Sequence, residues 1–352
     1  MTTEVKLEKI FDNDNANDND NDLVKLNQQY SHITTLNGHN SNIMFNCLIV
    51  HDNKLYSGGE CDNIHVWDTN THEKITTLEV YDGVLCMTIH DNKLYSGGRD
   101  GTIRIWNTDT HEEIAAMKGH TDWIYRLIFS DNKLYSGSRD NTIRVWSIDS
   151  NTDTYEELSV IDAKNGVVDL IIHDNKMYSG AMQGHIHVWN TETYEYIATI
   201  TGHCYIANHL IIHDNKLYSS GGDYAIRVWN TETYEEITTL EHTGGAEGIH
   251  IIANKLYSLG KDGNICVWNI DTHEKIATLR GHTKGAVIIK IHDNKLYSTG
   301  WDDTIRVWNV SGELYEEIAV LEGHTSCVSS LAVCDNKLYS GSFDKTIRVW
   351  NI

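Results

Sequence analysis

Histidine, serine and aspartate recur in this chain in the company a hydrolytic site would need. A serine hydroxyl, an imidazole to take its proton and a carboxylate to orient the imidazole together make an activated nucleophile. His120, Ser136 and Asp140 could supply one such trio. So could His203, Ser219 and Asp223. The combination returns as His242, Ser258 and Asp262, as His282, Ser298 and Asp302, and as His324, Ser340 and Asp344. One active site does not need five copies, so the trio reads as a structural device and no catalytic residue is assigned. Further histidines, His51, His90, His173, His213 and His292, come one to a repeat. They are too dispersed to converge on one ion, so no metal site is expected.

Asp18-Asn19-Asp20-Asn21-Asp22 has the carboxylate density of a calcium loop. Its sixth position is Leu23 where such a loop turns on Gly, and its twelfth is Gln29 where a bidentate Glu belongs. Residues 1–29 are therefore read as a disordered acidic tail dominated by the Asp/Asn run from Asp12 to Asp22. The formal net charge of the whole chain is −22, which argues against nucleic acid and anionic membranes as partners. No apolar run is long enough to span a bilayer, and Met1 to Lys9 lacks the apolar centre of a signal peptide. The seven cysteines (47, 61, 86, 204, 266, 327 and 334) follow no disulfide or Cys-x-x-Cys framework. Reduced thiols in a cytosolic or nuclear setting fit that usage. The protein is expected to be cytoplasmic, monomeric and without a cofactor.

The elements that position these residues come from one repeated stretch, clearest at Asp131–Trp146 (DNKLYSGSRDNTIRVW). Eight near-copies each carry Lys-Leu-Tyr-Ser or its Met variant, and each ends on a Trp: Trp67, Trp106, Trp146, Trp189, Trp229, Trp268, Trp308 and Trp350. Successive tryptophans are 39 to 43 residues apart, a period that marks a repeat architecture. In the third copy Ile124–Phe129 is apolar as a doubly buried strand should be. Asp131-Asn132 is a two-residue hairpin turn and Lys133–Ser138 a second strand. Thr142–Trp146 and Tyr155–Ile161 follow as the third and fourth.

Four short antiparallel strands per repeat, stacked radially, make a β-propeller blade. The fold expected for residues 30–352 is thus all-β with eight blades. The last copy stops at Asn351-Ile352, after its third strand, while Ser31–Leu36 resembles the fourth strand Glu236–Leu240. The N-terminal strand should close the last blade and leave no open edge there.

These residues resemble the WD40 repeat family. Gly-His precedes the first strand at Gly38-His39, Gly119-His120, Gly202-His203, Gly281-His282 and Gly323-His324, and a Trp closes every third strand. Trp67-Asp68 is a literal Trp-Asp; the other copies read Trp-Asn or, at Trp146, Trp-Ser. The Lys-Leu-Tyr-Ser-Gly wording is also similar to WD arrays attached to myosin heavy chain kinases and F-box proteins, though neither attached segment is read here. The resemblance implies a buried hydrogen-bond chain within each blade. It joins Trp146, Trp229, Trp268, Trp308 and Trp350 to the five trios above. Blades 1, 2 and 4 depart, with Cys61 and Asp62, Tyr81, and Ala163-Lys164 with Gln183 at the equivalent places. They are expected to form a softer sector.

The resemblance also implies a non-catalytic platform for protein partners. One face should carry the lysines Lys54, Lys93, Lys133, Lys176, Lys216, Lys255, Lys295 and Lys337, read as solvated turn residues. The other carries Glu60, Arg99, Arg139, Met182, Gly222, Lys261, Trp301 and Phe343 at equivalent turn tips. Arg99 and Arg139, with Trp123 and Tyr125, suggest a site for an acidic or phosphorylated segment of a protein or peptide. Trp301 and Phe343 form a second pair, roughly across the ring. The rival expectation is a small-molecule or enzymatic site in the central channel. Polar groups converging on the channel in a single blade would favour it; repeated ones would not.

Overall fold

The computed structural model describes residues 5–6, 29–60, 63–149, 152–312 and 314–352. Eight antiparallel sheets form the blades, each with four strands a to d and one of them, blade 7, with a short fifth strand. In blade 3 the strands are Ile124–Ser130, Lys133–Ser138, Thr142–Asp149 and Thr154–Asp162. The first turn is set by residue type: Asp131 and Asn132 take φ of 48° and 57°, and two positive φ values make the tight turn whose twist matches the strands it joins.

The a strands of neighbouring blades touch all round the ring and wall a central channel. The hydrophobic core is divided between the blades. One cluster joins Tyr95, Ile103, Ile105 and Met117 of blade 2 to Ile124, Leu127, Leu134 and Trp146 of blade 3. The same arrangement joins blade 8 to blade 1, through Leu36, Tyr339, Ile347 and Val349 against Ile43, Leu48, Leu55 and Trp67. Each blade therefore depends on its neighbours for burial, as in other repeat proteins.

The N-terminal strand closes the ring. His32–Asn37 lies outside Thr346–Asn351 in blade 8, with His32 opposite Trp350 and Leu36 opposite Ile347. Tyr30, just before it, is completely buried among Tyr297, Leu338 and Trp350. Ahead of that, Val5–Lys6 forms a short strand against Leu321 and Val320 on the outer edge of blade 7. The expectation of a wholly disordered tail is corrected at those two residues, because an unpaired outer strand accepts backbone hydrogen bonds from any extended segment. The remaining tail, including the calcium-like run, lies outside the described residues, as do Cys61 and Asp62.

The lysine ring is a second correction. These side chains are not simply solvated; most bind the c–d turn of the next blade. Lys54 Nζ and Tyr56 Oη both donate to the Thr108 carbonyl, at 2.7 and 3.3 Å. Lys176 and Tyr178 do the same to Thr231, at 2.9 and 3.3 Å. Lys337 and Tyr339 reach Thr69, at 2.8 and 3.1 Å, and so carry the pattern across the closure. Lys176, Lys255 and Lys295 also lie over the rings of Tyr234, Tyr315 and Tyr30. Residues i and i+2 of a strand share a face, so Lys and Tyr of strand b can converge on one acceptor.

Candidate interaction face and the pins beneath it

Beneath the face formed by the b–c turns, four of the five expected sets close completely. In blade 3 the Trp146 indole N–H donates to Ser136 Oγ at 2.9 Å, and His120 Nε2 lies 2.8 Å from the same oxygen. His120 Nδ1 lies 2.8 Å from Asp140 Oδ2. An ionised carboxylate only accepts, so Nδ1 carries the proton, and Nε2 accepts from the serine O–H. Burial alone would raise the Asp140 carboxyl. Hydrogen bonds from His120 and Thr142, the charge interaction with His120 and the Thr121 N–H instead hold it well below the carboxylate range.

Blades 5, 7 and 8 repeat the geometry. In blade 5 Trp229 donates to Ser219 at 2.8 Å, and His203 bridges Ser219 and Asp223 at 2.8 and 2.7 Å. In blade 7 Trp308 donates to Ser298 at 2.8 Å, and His282 bridges Ser298 and Asp302 at 2.8 and 2.9 Å. In blade 8 Trp350 donates to Ser340 at 2.9 Å, and His324 bridges Ser340 and Asp344 at 2.8 and 2.7 Å. The buried Ser340 hydroxyl also lies 3.4 Å from the Arg348 carbonyl, the partner its counterpart Ser136 has in Arg144. Ser340 therefore accepts from tryptophan and stands between histidine and a strand carbonyl. That is a fully engaged hydroxyl within the blade.

The fifth set is a correction. Trp268 donates to Ser258 at 2.9 Å, but His242 Nε2 is buried without a hydrogen-bond partner among the described residues. The Gly244 N–H donates to His242 Nδ1 at 3.3 Å, while Asp262 accepts from Asn264 and Thr243. Glu241 precedes this histidine where the four complete sets have Gly, and Gly244-Gly245 follows it. Gly245 turns with φ of 80° and its N–H returns to the His242 carbonyl, so the loop takes the ring away from the carboxylate. Conversely, blade 1 keeps His39, 2.7 Å from Ser57 Oγ, with Trp67 at 2.9 Å. In blade 2, which lacks the histidine, Arg104 reaches Asp100 at 2.7 Å and lies against the Tyr81 ring.

The turn tips above are held by backbone. The N–H groups of Arg139, Trp301 and Phe343 each donate at 2.9 Å to the carbonyl just before strand a of their own blade, at Trp123, Gly285 and Cys327. The indole of Trp123 lies 4.4 Å from the Arg99 guanidinium and 5.1 Å from that of Arg139, with Tyr125 edge-on beside it. The expectation of two equivalent exposed arginines is corrected here. Arg99 donates to Glu60 Oε1 at 2.6 Å and its side chain is 14 % exposed. Arg139 is 47 % exposed and lies 3.9 Å from the Asp122 carboxylate. Glu60 occupies the same turn one blade earlier, which is why it reaches Arg99.

Trp301 and Phe343 are in edge-to-face contact at 5.5 Å. The reading of the turns alone missed Phe45, on strand a of blade 1, which touches both rings at 6.3 and 5.3 Å. Phe45 and Glu60 thereby join the two expected pairs through blade 1. The result is one arc over blades 7, 8, 1, 2 and 3. Met182 and Gly222 lie outside it, as does Lys261, which pairs with Glu247 at 3.2 Å. Among the described residues no cluster of three or more His, Cys, Asp or Glu side chains could hold a metal ion.

A closed ring of eight four-stranded blades with Trp–Ser–His–Asp pins defines a β-propeller of the WD-repeat kind. The chain belongs to the WD40 family: it matches the WD domain, G-beta repeat, over residues 30–68, 72–107, 111–147, 273–309 and 315–351. It is similar to the crystal structure of the computationally designed Ika8 protein, at 30% identity and a TM-score of 0.81, covering 91% of this chain and 99% of that one. The Saccharomyces cerevisiae Sqt1 structure shares the fold at 12% identity and a TM-score of 0.79, covering 92% and 99%. No curated protein sequence matches the chain. WD40 propellers typically serve as non-catalytic scaffolds for protein partners.

Proposed function

We propose that this propeller is a monomeric, cytoplasmic interaction platform that docks a protein segment on the b–c turn face, with Arg139 receiving an acidic or phosphorylated side chain. The observation that carries the reading is the stacking of Arg99 and Arg139 on Trp123. One arginine is tied down by Glu60 while the other stays half-exposed, with only a 3.9 Å approach to Asp122. A guanidinium meets carboxylate or phosphate through paired hydrogen bonds. Trp301, Phe343 and Phe45 supply the apolar part of the contact, Trp301 and Phe45 being 41% and 37% exposed. Neither Trp nor Phe is required at a turn tip by the fold. The six described cysteines are all free, which supports a reducing compartment.

The test is an array of peptides graded in charge and phosphorylation, probed with the intact protein. Acidic or phosphorylated peptides should be retained, and salt should weaken that retention. Arg139→Glu should abolish it without lowering the melting temperature. Arg99→Glu should also disturb the Glu60 contact and so is the less clean variant. If Arg139→Glu retains the same peptides as the wild type, the anion-reading role is wrong. A joint Trp301→Ala and Phe343→Ala variant then asks whether the aromatic end of the arc docks the partner alone.

A further inference from the structure

The channel wall carries a cluster that the docking face does not use. Five consecutive blades place different polar side chains on their innermost strands: Arg126, Asp169, His209, His250 and Lys290. Asp169 is buried and its charge is answered. Arg126 Nε lies 3.0 Å from Oδ1, the Leu170 N–H donates to Oδ1 at 2.9 Å, and the Leu210 N–H donates to Oδ2 at 2.8 Å. The remaining nitrogens are not answered. The His209 and His250 rings lie 5.9 Å apart, and neither they nor the Lys290 ammonium makes a hydrogen bond or ion pair with another described residue. The other nearby carboxylate, Glu247 on the His250 strand, is engaged by Lys261 at 3.2 Å. A cavity of about 240 Å³, lined in part by Arg126, Asp169, Asn208 and His209, reaches the cluster at His209, with His250 and Lys290 beyond its edge.

The fold does not require these groups. The strand a residue opposite the strand b tyrosine is Ile49, Ile128, Ile171 and Ile211 in blades 1, 3, 4 and 5. At the same place blade 6 has His250, opposite Tyr257, and blade 7 has Lys290, opposite Tyr297. Isoleucine there costs nothing in lost hydration, whereas the half-buried imidazoles and the crowded but still exposed lysine lack protein acceptors among the described residues. Burial holds all three below their ordinary titration ranges. For His250 the value falls to about 3, with repulsion from His209 and Lys290 added. Three unanswered donors from three adjacent blades share one deficit, which is negative charge.

We propose that this sector of the channel binds a small, multiply charged oxyanion (sulfate, phosphate or a compact phosphate ester) held by Lys290, His250 and His209, with Arg126 at its edge. The anion supplies acceptor oxygens to all three nitrogens. It also favours the charged imidazoles that burial disfavours, so binding takes up protons and strengthens as pH falls. Phe45 and Tyr125 of the docking face border the same cavity, but the anion is held by other side chains.

Calorimetry on the full chain with sodium sulfate tests this, because sulfate keeps its charge between about pH 8 and about pH 5.5, where histidine titrates. Pyrophosphate serves as the second probe and separates a general oxyanion site from a phosphate-selective one. A single site is expected, tighter at the lower pH, with proton uptake visible as a heat that changes with the buffer. Lys290→Ile should weaken binding at least about tenfold. His250→Ile should weaken it and reduce the proton uptake. Both introduce the residue that neighbouring blades already accommodate, and Lys290→Gln and His250→Gln repeat the test with a polar channel. Arg139→Glu should bind both anions as the wild type does, which keeps this result independent of the docking face. Absence of binding to either probe, or binding unchanged in Lys290→Ile and Lys290→Gln, overturns the proposal.

Discussion

At Asp140 one carboxylate answers four donors: His120 Nδ1, the Thr121 N–H, and the Thr142 N–H and hydroxyl. Asp140→Ala leaves them without that acceptor and should cost about 1–3 kcal/mol, read as a shift in the urea midpoint. Gln183→Ala, at the equivalent turn of blade 4, removes an exposed side chain and should stay within about 0.5 kcal/mol. Equal losses would mean that the pin does not carry stability. The same comparison separates two histidines that look alike in sequence. His282→Ala breaks contacts to Ser298 and Asp302, whereas His242→Ala removes a ring whose Nε2 is already unpartnered, so the first should be the more destabilising. The pins were legible where the loop before strand a is Gly-His-Thr or Gly-His-Cys, as at His324, Ser340 and Asp344. At Glu241-His242-Thr243-Gly244-Gly245 residue identity was preserved but the backbone path was not, and only coordinates show where a ring turns. Glu60 and Arg99 were both visible at neighbouring tips. What their types did not reveal was that the pair would be satisfied internally, leaving Arg139 as the more available cation.

At the scale of the strand, the Lys-Leu-Tyr-Ser wording has a physical explanation that the repeat alone hid. Lys and Tyr lie two residues apart on one face and share a carbonyl of the following blade, so each such blade is tied to the next by a charged and a neutral hydrogen bond. Read within one repeat, the lysine is a turn residue beside Asp-Asn. Its partner is a repeat away in sequence and could not be found from local spacing. Lys337→Met and Tyr339→Phe should each lower stability by about 1 kcal/mol, because the other donor still serves the Thr69 carbonyl. The double variant should lose more than the sum, since that carbonyl is then left short of donors. Additive losses in a double-mutant cycle would show that the two donors act separately. The closing strand extends the same logic to the N-terminus. Tyr30 stands where Tyr234 and Tyr315 stand before other d strands, and Lys295 lies 5.2 Å from its ring centre. Its buried hydroxyl has no hydrogen-bond partner among the described residues, and burial raises it to about 12. Tyr30→Phe should therefore be neutral or stabilising in a thermal melt, while Tyr30→Ala should cost about 3–5 kcal/mol through the cavity it leaves. Removal of residues 1–27 should shift the melt little, because of the described residues it takes only Val5 and Lys6, whereas removal of 1–37 strips the outer strand of blade 8 and should bring aggregation.

For the whole ring, stability should depend on pH in two stages of the same sign. Burial lowers the titration of His203 and His324 in the pins, of His242 in the unpinned loop of blade 6, and of His209 and His250 in the channel. In the unfolded chain these imidazoles titrate near about 6.5. As pH falls through that value the unfolded chain takes protons that the folded ring resists, so the unfolded state binds more protons and folding weakens. The carboxyls of Asp140, Asp302 and Asp344 are held below their usual range despite burial that would raise them, chiefly by their histidine partners. Their contribution is present above about pH 4 and is lost as pH falls toward the lower folded value, which makes the second stage. Urea midpoints measured from pH 8 downward should therefore stay high to about pH 7, decline through the histidine range and fall again below about pH 4. His250→Ile should flatten part of the first decline without touching the second, because it removes one buried imidazole and no carboxylate. A midpoint that is unchanged or higher at pH 5 would require the buried histidines to be charged in the folded ring. Their tautomers in the pins, with Nδ1–H toward carboxylate and Nε2 accepting from serine, would then be wrong. The determination is best made in a buffer free of sulfate and phosphate, since an oxyanion held in the channel would draw protons onto His209 and His250 and mask their part of the decline.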